Sequence, residues 1–373
     1  MKFIAFSDTH FHPHNVGSTM LEGGISSRLM DIGNAVREVY QYAKINDIEH
    51  VVFAGDLFHT KKNVDVPAFN LAWKIIKSEA GDIKTLMIPG NHDIASPDGS
   101  QNSLEAFHGD NATVYSKPQI KLLGNDGSNC LLCFVPFPAV NGKFNKGKFL
   151  DSIERIQLMI SDYAETGEFV PKQKILVTHA HINELMIRHH GFEGDFEIDE
   201  ISSYFDLMLL GHHHIFDEIR SPEAKLKAIS LGSVLPLTFN DVGHLRGFTV
   251  IDTDEPNHYT FIKTTAPDFM IINNSENFDQ LEAGDFKDAI VRIKAESEAE
   301  AKRMERQLVK SEARDWTIEI LDTPSDEAVR LEVADSLKTN EILDAYMKSE
   351  WGKTGLDMER LLKSGLSFIE GGA

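Results

Sequence analysis

Carboxylate, amide and imidazole side chains recur where apolar runs end in the first two thirds of the sequence. Asp8 and His10 follow "KFIAF", Asp56 follows "HVVFAG", and Asn91 and His92 follow "TLMIPG". His179 closes "ILVTH", and His212 and His214 follow "DLMLLG". Each run is a near-continuous aliphatic stretch of strand length, the pattern of strands covered on both faces. Ligands of open α/β sheets gather beyond the carboxyl ends of strands, so these groups can converge on one rim. Residues two apart on extended backbone face the same way, which pairs Asp8 with His10 and His212 with His214 and turns His213 aside. Gly55, Gly90 and Gly211 each precede one of these residues and let the chain turn tightly there.

The donors are oxygen and imidazole, with no thiolate. That set suits Mn²⁺, Fe²⁺ or Zn²⁺ better than Ca²⁺ and excludes an iron–sulfur cluster. There are too many groups for one ion; two ions about 3.5–4 Å apart and sharing a carboxylate would use them all. A single histidine of this kind reads as an ordinary packed or surface residue. The whole set, each member following a strand, reads as a site.

The elements that must hold these groups follow from periodicity. Leu29, Ile32, Val36, Val39 and Tyr40 repeat at helical spacing between the first two runs, and "PAFNLAWKIIKSEAG" predicts a second helix opened by Pro67 and ending near Gly81. Strand alternating with helix predicts a layered α/β domain over residues 1–265. "AISLGS" and "GFTVIDTD" read as further strands, expected in a second sheet. "DAIVRIKAE", "SEAEAKRMERQLVKSEA" and "DWTIEIL" then read as strand, helix and strand of a small α/β unit over 266–325. Beyond it, in 326–373, apolar stripes at Ile342, Leu343, Tyr346 and Met347 and at Leu361, Leu362, Leu366 and Ile369 predict a C-terminal helical hairpin. So short a hairpin buries little by itself and invites a partner.

Composition narrows the class. The chain has 373 residues, 42% hydrophobic and 25% charged, as in a soluble globular protein of two or three units. No apolar run is long enough to cross a bilayer, and "MKFIAFSDTH" turns acidic too early for a signal peptide, so a cytoplasmic location is expected. Net charge is −21, with 23 basic against 34 acidic residues through Thr264 and 14 against 24 beyond it. Neither part binds nucleic acid by bulk electrostatics; bound cations or a partner would have to supply the positive field. Cys130 and Cys133 lie three apart in an extended segment and face opposite ways, which makes them core residues rather than a redox pair or half a zinc site. "GKFNKGKF" fits G-x-x-x-x-G-K, but Phe149 stands where a phosphate loop needs Ser or Thr, so a basic loop is expected. Lys143, Lys146 and Lys148, with Lys61 and Lys62, are the candidate contacts to a nucleic-acid backbone, although solvated lysines are commoner.

"DTH", "GDLFH", "GNHD", "THAH" and "GHHH" resemble the signatures of calcineurin-like metallophosphoesterases. "GDLFH" and "GSVLPLTFND…GF", with the later segments, narrow the likeness to the Mre11/SbcD nuclease family, which includes phage recombination nuclease subunits. The resemblance is tight over 1–255 and architectural after that. It implies a sandwich of two sheets flanked by helices, a capping domain that contacts DNA, and C-terminal helices that dock a Rad50/SbcC-like ATPase. It places one ion on Asp8, His10, Asp56 and His214, and a second on Asp56, Asn91, His179 and His212. His92 becomes the group that reaches the phosphate or the leaving oxygen, Asp93 the residue that orients it, and His59 a histidine near the substrate phosphate. His181, His189, His190 and His213 match no family role and are expected to be ordinary loop residues.

The expected activity is hydrolysis of DNA phosphodiesters by a cation-activated water, with Mn²⁺ (or Mg²⁺) as cofactor, in a homodimer serving DNA end processing, recombination and repair. If a phage encodes the chain, the compartment is the host cytoplasm. The rivals are a phosphodiesterase of small molecules or cyclic nucleotides, and a non-catalytic scaffold for the ATPase. "GDLFH" and "GNHD" depart from the G-D-x-x-D-R-G and G-N-H-E patterns of protein phosphatases.

Overall fold

The computed structural model describes residues 1–124, 130–165, 171–221, 225–255 and 258–321. The expected hairpin of 326–373 lies outside the described residues. The first stretch runs β1 (Lys2–Phe6), α1 (Ser27–Ile45), β2 (His50–Phe53), α2 (Val66–Trp73), β3 (Lys84–Met87) and β4 (Ala112–Val114). The second runs β5 (Gln119–Leu123), β6 (Cys130–Val135), β7 (Ala139–Val140), β8 (Lys143–Phe144), α3 (Lys146–Glu165), β9 (Gln173–His179), α4 (Asn183–His190), β10 (Leu207–Gly211), β11 (Asp217–Arg220) and β12 (Lys227–Ser230). β13 (Gly247–Asp252) and β14 (His258–Lys263) follow. The last part holds β15 (Phe269–Ile272), α5 (Ser275–Asp279), β16 (Ile290–Ala295), α6 (Glu298–Lys310) and β17 (Asp315–Ile320).

Two six-stranded sheets form, ordered β14-β13-β1-β2-β3-β4 and β11-β12-β10-β9-β6-β5. Phe3, Ala5, Val52 and Leu86 from the first meet Leu132, Phe134, Val177 and Leu209 from the second in one buried core. The outer face of the first sheet packs on α1 and α2 through Ile4, Phe6, Leu29, Val36 and Leu71, and that of the second on α3 and α4 through Cys133, Leu176, Ile153 and Leu185. Sheets apolar on both faces thus become the middle layers of a helix–sheet–sheet–helix sandwich, the α/β class expected. Ser26 starts α1 by accepting the Leu29 N–H, and Asp65 starts α2 by accepting that of Ala68, caps of about 1 kcal/mol each. α2 continues as a π-helical stretch, Lys74–Glu79, before the turn at Gly81.

Two expectations need correction. "GFTVIDTD" does not join the second sheet: β13 runs antiparallel to β1, from Lys2 opposite Asp252 to Ala5 opposite Thr249, and lies in the first sheet between β1 and the edge strand β14. "GKFNKGKF" is not a basic loop either. Lys143 and Phe144 form β8 of a hairpin, and α3 begins at Lys146, because Phe149, Ile153 and Ile156 give it an apolar stripe that packs on the second sheet. Cys130 and Cys133 are buried on opposite faces of β6, and burial pushes both thiols up to about 12.

β16, α6 and β17 match the strand–helix–strand reading, and β15 adds a third parallel strand. This unit leans on the sandwich through Phe239, Phe269 and Ile290, through Arg314 paired with Asp31, and through the Gly17 N–H donated to Asp315. Among the described residues, no helix is long and apolar enough to cross a membrane.

Candidate metal centre

The carboxyl ends of β1, β2 and β3 in one sheet and of β9 and β10 in the other open onto the same rim. There Asp8, His10 and His214 bring ligand atoms within 4.8 Å of one another, and so do Asp56, His179 and His212. Asn91 joins the second group, its Oδ1 lying 3.0 Å from His179 Nε2. Asp56 lies between the groups, 3.7 Å from His10 Nε2 and 3.4 Å from His179 Nε2. Asp8 and Asp56 are buried, and four of these residues hold left-handed backbone: Asp8 (φ 52°), His10 (47°), Asp56 (61°) and His212 (89°). Such backbone costs an L residue about 1–3 kcal/mol and concentrates at sites where function sets the geometry.

Glycine lets the loops close on the ring of His179. A Cβ on Gly55 would meet His179 Nδ1 at 2.5 Å, one on Gly90 would meet Cε1 at 2.6 Å, and one on Gly211 would meet Nδ1 at 2.6 Å. The ring donates Nδ1–H to the Ala54 carbonyl at 2.7 Å, which fixes the tautomer and turns Nε2 toward Asp56 and Asn91. Burial opposes charge on His179, but Asp56 and Asp8 outweigh it and push its pKa up to about 9. Asp56 is also buried, yet His179 holds its carboxyl well below the usual range. Burial raises Asp8, with His179 and His214 opposing it. Burial pushes His10 and His212 well below the ordinary imidazole value, so each keeps a lone pair to donate.

These residues fit divalent cations. His10 Nε2 and His214 Nε2 lie 3.0 Å apart and within 3.8 Å of Asp8, while the buried Nδ1 of His10 has no hydrogen-bond partner among the described residues. In the neutral ring of His179, Nε2 faces two oxygen acceptors. Lone pairs converging at such distances call for a proton or a cation between them.

His92 stands beside this centre, its ring 5.0 Å from that of His10 and edge-on to it. The expectation that Asp93 orients His92 is overturned. His92 Nδ1 meets the His59 carbonyl at 2.6 Å, whereas the Asp93 carboxylate accepts the backbone N–H groups of Asp56, Leu57 and Gly90 at 2.7–3.0 Å. Asp93 ties the β2 loop to the β3 loop; burial, with Asp56 nearby, raises its pKa to about 7. The His59 ring stacks on that of His92 at 5.8 Å.

The lysines separate. Lys61 and Lys62 are exposed near Asn91 and have no polar partner among the described residues, and Lys143 is exposed in β8. Lys146 pairs with Glu200 at 2.8 Å, and Lys148 donates to the carbonyls of Asp98 and Ala139, so both have structural partners. The four histidines expected to be ordinary loop residues are not so ordinary. His189 and His190 lie on α4, His213 is buried against both of them, and His181 stacks on His212 with ring centres 3.7 Å apart. Sequence reasoning also passes over His12 and His14, which surround His59 at 5.2 Å; the alternation in "HFHPH" was the available signal.

A two-sheet sandwich with acid–histidine groups at its strand ends defines a metal-binding phosphoesterase. Residues 1–216 match the family described as calcineurin-like phosphoesterase, and the chain belongs to that family. Exonuclease subunit 1 of Enterobacteria phage T4 is 25% identical over 230 residues, which is 59% of this chain and 58% of that protein. The chain thus spans a little over half of that relative's length. Among solved structures, a dimetal phosphatase from Danio rerio is similar with a TM-score of 0.40 and 10% identity over 67% of this chain and 91% of that one. An archaeal phosphodiesterase is similar with a TM-score of 0.35 and 12% identity over 70% and 99%.

Proposed function

We propose that this chain is a two-metal DNA phosphodiesterase, an exo- and endonuclease subunit of the Mre11/SbcD type. The observation that carries this reading is the pair of ligand groups meeting at Asp56, with His92 beside them. Asp8, His10, Asp56 and His214 would hold one ion, and Asp56, Asn91, His179 and His212 the other. Two divalent cations, Mn²⁺ by the resemblance and Mg²⁺ as the alternative, would supply Lewis acidity that offsets phosphoryl charge and activates water.

The remaining chemistry belongs to side chains. A carbonyl can only accept, so His92 Nδ1 carries its hydrogen toward His59 O and Nε2 is left to face a substrate. The protonated ring can then give the Nε2 proton to a leaving alkoxide. Asp93 keeps Asp56 and Gly90 in register. Lys61, Lys62 and Lys143, whose side chains have no polar partner among the described residues, are the proposed cations for strand phosphates, and cations in the centre would ease the overall negative charge.

The exonuclease named among the relatives supports DNA as substrate. Exposed Val66 and Trp73 on α2 are consistent with a homodimer joined through these helices. Residues 326–373 are the proposed dock for a Rad50/SbcC-like ATPase. DNA end processing, recombination and repair in a cytoplasm, a host's if a phage encodes the chain, complete the reading.

Incubation with end-labelled linear DNA and a generic phosphate bis-ester tests it. Cleavage of both with Mn²⁺ and of neither with chelator is expected. Cleavage of the ester but never of DNA, even with an ATPase partner present, would transfer the assignment to small-molecule esters.

A further inference from the structure

Beside Asn91 lies a cavity of about 200 Å³ that the phosphodiesterase reading does not use. Ile94, Phe137 and Ala139 form its apolar floor, Ala95 and Pro97 its wall, and Lys61 and Lys62 its rim. The far wall is the β7–β8 hairpin. Its two-residue turn, Asn141 (φ 51°) and Gly142 (φ 74°), has the left-handed backbone of a tight hairpin loop. The Gly142 N–H reaches the Pro97 carbonyl at 3.3 Å, and Lys148 joins Asp98 to Ala139 with bonds of 3.0 and 3.1 Å. Both walls are therefore fastened to each other. The floor is fastened to the metal centre, since the Phe137 N–H donates to Pro89 and its ring meets the edges of His179 and His212 at 6.2 and 5.9 Å.

A slot with apolar walls, exposed ammonium groups at its mouth and the proposed metal-ligand amide on its rim matches a planar ring attached to a phosphate. We infer that this cavity receives the nucleobase next to the scissile phosphate, so that the enzyme grips a nucleotide rather than a bare diester. The inference rests on the phosphodiesterase reading and adds a base-binding subsite to it. Stacking on apolar and aromatic surfaces tolerates every base, which gives grip without sequence preference.

The test compares strands that are intact or abasic at the nucleotide beside the cut, with Mn²⁺. In the native chain kcat/KM for the intact strand should exceed that for the abasic strand roughly tenfold. Ala95→Trp, which fills the slot, should bring that ratio toward one. Lys61→Ala with Lys62→Ala should lower both rates and keep the ratio. Equal rates in the native chain overturn the inference without any variant having to fold. If neither strand nor a generic bis-ester is cut, the phosphodiesterase reading fails on its own. The slot is then judged by photocrosslinking: an oligonucleotide carrying 5-iododeoxyuridine should attach to residues 91–97 or 136–144 in the native chain and lose that attachment in Ala95→Trp. Attachment elsewhere alone overturns the slot.

Discussion

The two halves of the rim are built differently. Around His179 everything is set before any cation arrives: the ring is fully buried, its tautomer is fixed by Ala54, and Asn91 and Asp56 already face Nε2. Around His214 the wall is open. That side chain is 36% exposed, it touches His10 directly, and the second nitrogen of His10 has no partner among the described residues. One half is thus a rigid template and the other is completed on binding. Preorganisation concentrates where two sheets and three loops meet, and thins out where, beside the shared Asp56, β1 and the β10 loop contribute.

The sharpest way to break this comparison is Asp56→Asn, because Asp56 serves both halves. Turnover should fall by at least ~10³-fold and Mn²⁺ calorimetry should lose both binding events. Retention of one full-affinity ion would show that the halves do not share a carboxylate. Next comes His92→Ala, expected to cost about 10²–10⁴-fold in turnover with Mn²⁺ stoichiometry intact. Metal loss in that variant would make His92 a ligand. The halves themselves are separated by His179→Ala against His214→Ala. Emptying the buried pocket should cost about 2–4 kcal/mol in urea unfolding without metal. His214→Ala should leave that unfolding within about 0.5 kcal/mol and weaken only Mn²⁺ binding. Equal destabilisation would erase the distinction between template and open wall. The smallest effect belongs to Lys146→Ala, whose half-exposed pair with Glu200 contributes no more than about 1 kcal/mol to thermal stability.

Much of the centre was legible because its signals are local. An apolar run followed by Asp, Asn or His states both the strand and the residue at its end, and spacing of two states which side chains share a face. The sheet order was less legible. Nothing within "GFTVIDTD" says that it returns to β1, since that pairing joins residues about 250 positions apart and depends on which edge is left open. Local reading also misjudged partners. Asp93 follows His92 in sequence and invites a bond to it, yet its carboxylate is taken by three backbone N–H groups that only the folded loops bring together. Lys148 looked like a loop cation because the apolar stripe of α3 begins beside a lysine-rich stretch.

The enclosure of His179 reaches beyond its own chemistry. Three segments distant in sequence must each forgo a side chain because the same five-membered ring, together with the backbone and Asp56 around it, fills the space where that side chain would sit. The dipeptides Gly55-Asp56, Gly90-Asn91 and Gly211-His212 are in this sense moulded on that ring and on one another, and they should be kept together. A descendant that exchanged His179 for alanine would still need all three glycines, since a Cβ at Gly211 would meet the Ala54 carbonyl at 2.2 Å, one at Gly90 the Asp56 Oδ1 at 2.3 Å and one at Gly55 the Gly90 Cα at 2.7 Å.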